Sequence, residues 1–224
     1  MNLSTEWNAF SSVKAIRLKK QYEEKFVLRQ VDLTLESSNC ALLMGKNGTG
    51  KSSLLRILSL QESALGGELL FNEIPLKNWK PSSLQKQIGF AGHFPGFHGE
   101  LSPLENLQYF GRFYLSNVHL VEKRAHELLS HFKISHREQT SQLSYGTLQK
   151  LSLCRAFFHK PSLLLLDEPY QGLDTDGIMQ LNELIQYAQS QGAIILLVTH
   201  TPSLAQTLPN HVYMLQQGII QSVL

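Results

Sequence analysis

The sequence has little cysteine, little excess charge and no long apolar run, and each shortage excludes a class of protein. Its 224 residues include two cysteines, Cys40 and Cys154, whose spacing matches neither a zinc motif nor a disulfide framework. The 20 Lys+Arg residues against 18 Asp+Glu give a net charge of +2. Nucleic-acid binding normally needs a clustered basic surface, so we expect no nucleic-acid partner.

The apolar runs are equally short. The longest, at residues 163–166 and 194–198, fall far below the ~20 residues of a membrane-spanning helix, so we do not expect the chain to cross a bilayer alone. Residues 1–10 lack the basic region and apolar core of a signal peptide. We therefore expect a cytoplasmic protein in a reducing compartment, built as one globular domain with a sizeable core.

Periodicity changes along the chain. Apolar and polar residues alternate at 13–18 and 27–35, which predicts antiparallel strands with one buried face, whereas residues 40–44 are continuously apolar and predict a strand covered on both faces. Residues 94–158 are mainly helical in pattern. Beyond them we predict strands at 163–166, 194–198 and 211–215 and a helix at 177–191.

This order predicts an α/β fold with a mainly parallel sheet and helices on both faces, an N-terminal antiparallel β subdomain and an inserted α-helical subdomain. We place the helical subdomain at residues 93–158. The core with its β subdomain then comprises residues 12–92 and 159–224.

The segment Gly-Lys-Asn-Gly-Thr-Gly-Lys-Ser at residues 45–52 matches the phosphate-loop pattern G-x-x-x-x-G-K-[ST] in full. It lies between a predicted buried strand and a helical run at 53–60, as a P-loop NTPase requires. Backbone N–H groups of such a loop surround a phosphate, and the helix dipole adds positive potential. The predicted nucleotide-binding residues here are Gly45, Asn47, Gly48, Thr49, Gly50, Lys51, Ser52 and Ser53.

Two of these residues have a more specific predicted role. Lys51 would reach the β and γ phosphates as a catalytic residue, and Ser52 would supply a hydroxyl to Mg²⁺. A glycine-rich turn that binds nothing is the alternative. Even with nucleotide binding accepted, the loop alone leaves a kinase, a GTPase and a transport ATPase open.

Polar residues end two of the predicted strands. Asp167 and Glu168 follow the strand at 163–166, at the sheet edge where open α/β folds bind ligands. Asp167 suits the Mg²⁺ shell, and Glu168 would act catalytically by polarising a water for attack on the γ-phosphorus. Capping of the next helix is the alternative for both acids. His200 ends the strand at 194–198, so we predict a catalytic role beside them.

Taken together, these residues resemble the nucleotide-binding domain of the ATP-binding cassette (ABC) transporters. Residues 143–150, Leu-Ser-Tyr-Gly-Thr-Leu-Gln-Lys, resemble the family signature LSGGQ, and residues 172–174 resemble its D-loop. The resemblance implies that Tyr22 stacks on adenine, although an exposed hairpin aromatic is the alternative. It also implies that Ser144 and Gly146 contact the ATP of a second subunit, with Tyr145 and Thr147 as departures from the signature.

A narrower resemblance involves residues 92–107. Gly-His-Phe-Pro-Gly at 92–96 and the segment at 100–107 are similar to the haem-exporter ATPases of cytochrome c maturation, and His93 falls where the family keeps a glutamine that contacts Mg²⁺. The implied function is ATP hydrolysis, with ATP and Mg²⁺, by a head-to-tail homodimer or heterodimer that drives export through integral membrane subunits. The implied location is the cytoplasmic face of the inner membrane.

Two alternatives belong to other classes. A soluble ABC ATPase of chromosome maintenance would carry a long coiled-coil arm between residues 51 and 144, where this chain has about ninety residues and no heptads. A soluble ABC ATPase acting in cofactor assembly would use the same motifs with a soluble partner.

Overall fold

The computed structural model describes residues 10–92, 96–205 and 208–223. Its strands are β1 (Ser12–Tyr22), β2 (Lys25–Glu36), β3 (Cys40–Met44), β4 (Gly66–Phe71), β5 (Ile74–Pro75), β6 (Ile88–Ala91), β7 (Leu163–Asp167), β8 (Ile194–Val198), β9 (His211–Gln216) and β10 (Ile219–Ser222). Its α-helices are α1 (Lys51–Leu58), α2 (Pro81–Gln85), α3 (Pro103–Gly111), α4 (Val118–His131), α5 (Tyr145–Phe157) and α6 (Thr175–Ser190). Short 3₁₀ turns lie at Leu76–Asn78, Thr140–Gln142 and Pro202–Ala205.

The strands form two sheets. An antiparallel sheet has the order β2-β1-β4-β5, and a six-stranded sheet has the order β10-β9-β3-β8-β7-β6. In the larger sheet β3 runs parallel to β8 and β9, β7 runs parallel to β6 and β8, and the edge strand β10 pairs antiparallel with β9. The predicted fold class is therefore confirmed.

The central strands are covered on both faces because their successive side chains point to opposite sides. In β3, Cys40 and Leu42 belong to the apolar cluster that contains the buried residues of α4, α5 and α6. Ala41 and Leu43 belong to the opposite cluster, which contains the buried face of α1 and the antiparallel sheet. Continuous apolar strands are what this arrangement requires.

Parallel pairing brings the carboxyl ends of three strands together. Leu43 of β3 pairs with Val198 of β8, and Asp167 of β7 pairs with the same valine. The segments that follow β3, β7 and β8 therefore emerge side by side at one edge of the sheet, where ligands of open α/β folds bind.

Residues 96–158 contribute α3, α4 and α5. A capping box begins α3, in which Ser102 Oγ accepts from the Glu105 backbone N–H and Glu105 Oε2 accepts from the Ser102 backbone N–H at 2.8 Å. Buried Asn106 joins this helix to its surroundings, since its amide donates to Thr140 Oγ1 at 3.0 Å and accepts from the His98 N–H at 2.9 Å. Within the described ranges, no helix combines the length and hydrophobicity needed to cross a membrane.

Candidate functional site

A cavity of about 320 Å³ lies where the ends of β3, β7 and β8 meet. It brings together most of the residues that the motifs predicted, together with one apolar residue, Val27, that no motif indicated. The lining residues are Tyr22, Val27, Asn47, Gly48, Gly50, Lys51, Ser52, Ser53, Asp167, Glu168 and His200.

The loop at residues 45–50 turns tightly into α1. Gly50 has φ +104, and a Cβ atom there would lie 2.8 Å from the Val27 carbonyl oxygen, so only glycine fits. The helix begins directly at Lys51, two residues before the predicted run, and no side chain caps its first turn. Its N-terminal N–H groups and the positive end of its dipole therefore face the cavity, and no side-chain oxygen accepts from those N–H groups. This arrangement suits phosphate binding.

Lys51 is buried beside the two acidic residues. Its ammonium donates to the Gly45 carbonyl at 2.7 Å and to the Lys46 carbonyl at 3.1 Å. Burial lowers the pKa of Lys51, while the negative charges of Glu168 and Asp167 oppose that shift. The lysine thus supplies a fixed positive charge at the cavity wall, next to the loop that would surround a phosphate.

Glu168 and His200 contact each other across the ends of β7 and β8. Glu168 Oε2 accepts from the His200 backbone N–H at 3.0 Å, and the Glu168 N–H donates to the Val198 carbonyl at 2.9 Å. Oε1 lies 3.3 Å from His200 Nε2 but has no hydrogen-bond partner among the described residues, although it is buried. A buried carboxylate oxygen with an open acceptor position at a cavity wall is suited to hold a water molecule.

The oxygen donors present also fit Mg²⁺. Buried Asp167 and the Ser52 hydroxyl both line the cavity beside Lys51. Magnesium in nucleotide sites takes one or two protein oxygen ligands and completes its shell with phosphate oxygens and water. These two residues would hold such an ion against a nucleotide.

Tyr22 lies at the border between this cavity and a larger one of about 970 Å³. Its hydroxyl donates to Glu62 Oε2 at 2.5 Å and lies 3.2 Å from Ser53 Oγ. The Lys20 ammonium lies 5.0 Å from the centre of the tyrosine ring. The ring is therefore placed beside the phosphate loop, at the mouth of a space large enough for a nucleoside.

The remaining predicted residues lie elsewhere. Gly45 and Thr49 line a neighbouring cavity of about 730 Å³, and the Thr49 hydroxyl donates to the Lys46 carbonyl at 2.8 Å. Ser144 and Gly146 lie at the start of α5 and line neither cavity. His93, the third predicted Mg²⁺ ligand, lies outside the described residues.

The signature segment, residues 143–150, packs against the loop that follows Glu168. Ser144 caps α5 by accepting from the Thr147 N–H at 3.2 Å, and the two side-chain hydroxyls lie 2.8 Å apart. A Cβ atom on Gly146 would lie 2.4 Å from the Gly172 carbonyl oxygen, so the glycine permits a close approach of two backbones. Tyr145, which replaces a glycine of the family signature, is compatible with this contact, because its exposed ring lies over Gly172.

Three residues to which the sequence analysis assigned no role support the site. Gln149, buried on α5, donates to the Pro169 carbonyl at 3.2 Å, and Lys150 pairs with Asp174 at 2.7 Å. Glu62 holds the Tyr22 hydroxyl. A glutamine among the buried residues of a helix is a recognisable signal of such a contact, whereas nothing near Glu62 in the sequence indicates its partner.

Comparison with known proteins identifies the family. The family model described as "ABC transporter" matches residues 28–171. The ABC transporter ATP-binding protein NatA of Bacillus subtilis is 32% identical over 196 residues, covering 85% of this chain and 78% of NatA. The cytochrome c biogenesis ATP-binding export protein CcmA of Tatumella citrea is 28% identical over 203 residues, covering 90% of this chain and 89% of CcmA.

Other relatives extend beyond the length of this chain. The Nod factor export ATP-binding protein I of Cupriavidus pinatubonensis is 30% identical over 204 residues, which cover 90% of this chain but only 62% of that protein. Among solved structures, an ATP-binding subunit of an ABC transporter superposes with a TM-score of 0.85 at 25% identity, covering 94% of this chain and 90% of that one. A dimeric ATP-binding cassette bound to ADP and Pi gives a TM-score of 0.84 at 23% identity, covering 95% and 99%.

The chain belongs to the ABC transporter family, and it is an ABC-type ATPase domain. The family resemblance that the phosphate loop, the acidic pair and the signature segment indicated is confirmed.

Proposed function

We propose that this chain hydrolyses ATP as a head-to-tail dimer and thereby drives export through separate integral membrane subunits. The observation that carries the proposal is the 320 Å³ cavity, which collects Lys51, Asp167, Glu168 and His200 but not the signature segment. One chain therefore holds a phosphate site and, at a distance from it, a second helix N-terminus that a nucleotide on another copy would contact.

The chain's own residues divide the work of hydrolysis. The loop at 45–50 and Lys51 bind the β and γ phosphates. Ser52 and Asp167 would hold Mg²⁺, and the ion would supply positive charge to the phosphate oxygens. Tyr22 provides a surface for adenine. His93 is proposed as a further contact to the ion.

Glu168 positions the attacking water. Its unpaired Oε1 accepts a hydrogen bond from that water and draws off its proton while the oxygen attacks the γ-phosphorus in line with the leaving group. The bond from the γ-phosphorus to the bridging oxygen breaks, leaving ADP and phosphate. His200, joined to Glu168 through its backbone N–H, contacts the γ-phosphate or holds the same water.

The second copy completes each site through Ser144 and Gly146. The dimeric ATP-binding cassette with the same fold, crystallised with ADP and Pi, supports this assembly. We infer that residues 93–158 form a helical subdomain that moves with nucleotide state and transmits closure to membrane subunits at the cytoplasmic face of the inner membrane.

For the transported substrate we propose haem, in cytochrome c biogenesis. The support is the similarity to CcmA and the segment at residues 92–107. The Nod factor export protein and NatA are 30% and 32% identical to this chain, against 28% for CcmA, so the partner must be identified directly.

The hydrolysis proposal is tested with the Glu168→Gln variant. Loss of the base should lower turnover by about 100-fold or more, while ATP binding stays intact and light scattering shows a trapped dimer. Glu183→Gln, an exposed change on α6, is the matched control and should hydrolyse ATP normally. Normal turnover by Glu168→Gln would remove Glu168 from its role.

The partner is tested by affinity purification of the tagged Glu168→Gln protein with ATP from detergent-solubilised membranes of its native host, followed by mass spectrometry. Recovery of integral membrane proteins of cytochrome c maturation supports haem export. Other polytopic subunits would retain transport but replace the substrate. Recovery of soluble assembly factors or DNA alone would contradict the transport function and leave the ATPase chemistry standing.

A further inference from the structure

We propose that Glu62 is a positioning residue for nucleotide binding, which acts by fixing the Tyr22 ring as the stacking surface for the nucleobase. The inference rests on the proposed function, in which Tyr22 contacts adenine. Glu62 lies in the segment after α1 and belongs to none of the nucleotide-binding motifs.

A chain of hydroxyl hydrogen bonds ties the ring to the phosphate loop. The Tyr22 hydroxyl donates its proton to Glu62 Oε2 at 2.5 Å, so the contact of 3.2 Å with Ser53 must have the serine as donor. Ser53 is the third residue of α1, directly after Ser52. The ring is thus held at its far end by both the helix and the segment that follows it.

The carboxylate of Glu62 is itself held in place from two sides. Arg56 of α1 pairs with Oε1 at 3.2 Å, and Lys20 of β1 pairs with Oε2 at 3.1 Å. The Glu62 backbone N–H donates to the Arg56 carbonyl at 3.2 Å. Hydrogen bonds from Tyr22, and then from Lys20 and Arg56, lower the pKa of Glu62, so the side chain remains a charged acceptor near neutral pH.

The same lysine covers part of the ring. Lys20 lies 5.0 Å from the ring centre of Tyr22 while it also donates to the Ser63 carbonyl at 3.0 Å. An aromatic ring has two faces, and a cation over one of them leaves the other for a base. Tyr22 lines both the 320 Å³ phosphate cavity and the 970 Å³ cavity beside it, so a base stacked on the ring would lie next to the phosphate site.

Fixing the ring before the ligand arrives has a thermodynamic consequence. A tyrosine that is 41% exposed would otherwise lose rotamer freedom when a base stacks on it, which weakens binding. Glu62 removes that cost without contacting the nucleotide. Its effect should therefore be confined to ligands that carry a base.

The experiment compares ATP with inorganic triphosphate, which binds the phosphate loop but has no base. Glu62→Ala and Tyr22→Phe both remove the hydroxyl bond, and each should weaken ATP binding about fivefold, the factor that corresponds to one net hydrogen bond of ~1 kcal/mol. In Glu62→Ala, triphosphate affinity and kcat should stay unchanged while KM for ATP rises. Glu62→Gln keeps an acceptor oxygen and should restore most of the affinity.

Two further variants sharpen the result. The double variant Glu62→Ala/Tyr22→Phe should bind ATP no more weakly than either single variant, because both remove the same bond. Glu73→Gln is the matched control, since Glu73 pairs with Lys14 at 2.7 Å in the same antiparallel sheet and lines neither cavity. It should bind both ligands as the wild type does.

The outcomes separate the inference from the function on which it rests. Wild-type affinity of Glu62→Ala for ATP, equal weakening of ATP and triphosphate, or additive losses in the double variant would each overturn the positioning role. If Glu62→Ala does not fold, Tyr22→Phe and Glu62→Gln decide the question alone. A wild-type protein that binds triphosphate but not ATP would overturn the proposed function as well.

Discussion

Two helices of this chain begin at glycine- and serine-rich segments, and they begin differently. Helix α1 starts after Gly50 with no side-chain cap, so its first N–H groups are directed at the cavity with Lys51 beside them. Helix α5 starts at Ser144, whose hydroxyl accepts from the Thr147 N–H. The first helix start leaves its N–H groups available to a ligand, whereas at the second one N–H group is already bonded to the capping serine.

Under the proposed function, this difference means that one chain carries two unequal halves of a nucleotide site. The phosphate-binding edge, residues 45–53, 167–168 and 200, has both its positive and its acidic groups in place. In the signature segment, Gln149 and Lys150 instead connect α5 to the loop after Glu168, through the Pro169 carbonyl and the Asp174 carboxylate. These two contacts join the start of α5 to that loop, and under the proposed function the same helix start would contact the nucleotide of a second copy.

Among variants at the two helix starts, we expect Lys51→Ala to have the largest effect, a loss of ATP affinity. Removing a buried cation that faces phosphate should weaken ATP binding about 100-fold, because the phosphates would lose their charged partner. Equilibrium binding of ATP to the isolated chain measures this. Lys123→Ala, an exposed change on α4, is the control, and comparable affinities of the two variants would contradict the assignment.

The next largest effect is expected from Gly146→Ala. Unlike Lys51→Ala, this variant should lower turnover and leave ATP binding unchanged. The added Cβ atom would lie 2.4 Å from the Gly172 carbonyl, so α5 and that loop must separate. We expect turnover to fall at least about tenfold while ATP binding is unchanged. Gly66→Ala is the control, since a Cβ there meets only the Lys19 side chain at 3.9 Å. Weakened ATP binding by Gly146→Ala would show that the two regions are not separate.

Acid should lower the stability of the fold through His159, a residue just beyond the end of α5. Its ring stacks on Tyr114 with centroids 3.8 Å apart, its Nε2 contacts the Ile88 carbonyl at 3.2 Å, and its Nδ1 is buried without a partner among the described residues. Burial lowers the pKa of His159 from 6.5 to about 4. The folded protein thus keeps this imidazole neutral at a pH where the unfolded chain already binds a proton.

The contribution of neutral His159 to the free energy of unfolding is therefore complete above pH 6.5 and is lost as the pH falls towards 4. We expect a loss of about 1–2 kcal/mol in unfolding free energy between pH 8 and pH 5. Urea titrations at the two pH values measure it. His159→Gln should abolish this difference and the exposed His119→Gln should retain it; an unchanged pH dependence in His159→Gln would refute the assignment.

The smallest effect should come from Thr147→Ala. The variant removes a hydroxyl 2.8 Å from Ser144 Oγ but keeps the backbone N–H that Ser144 caps. We expect the unfolding free energy to fall by about 0.5 kcal/mol and turnover to change less than twofold. A large loss of turnover would mean that the hydroxyl at this departure from the family signature contacts nucleotide directly.

Much of the candidate site was predictable because its residues are contiguous. The phosphate loop occupies residues 45–52 without interruption, and Glu168 and His200 each follow a run of apolar residues that predicts a buried strand. The strands at 66–71, 88–91 and 219–222 were not predicted. The first of them, β4, begins with two glycines, which are uncommon in strands, and β10 is an exposed edge strand whose pattern differs little from that of a loop.

What the sequence determined by itself is local: which segments form strands and helices, and which chemical groups end them. The tertiary structure decided which of those groups meet. Residues 43 and 167 lie on either side of residue 198 because β8 lies between β3 and β7 in the sheet, an order that periodicity does not encode. The contacts of Tyr22 with Glu62 and of Gly146 with Gly172 likewise join segments distant in sequence, and only the packing of the whole chain brings them together.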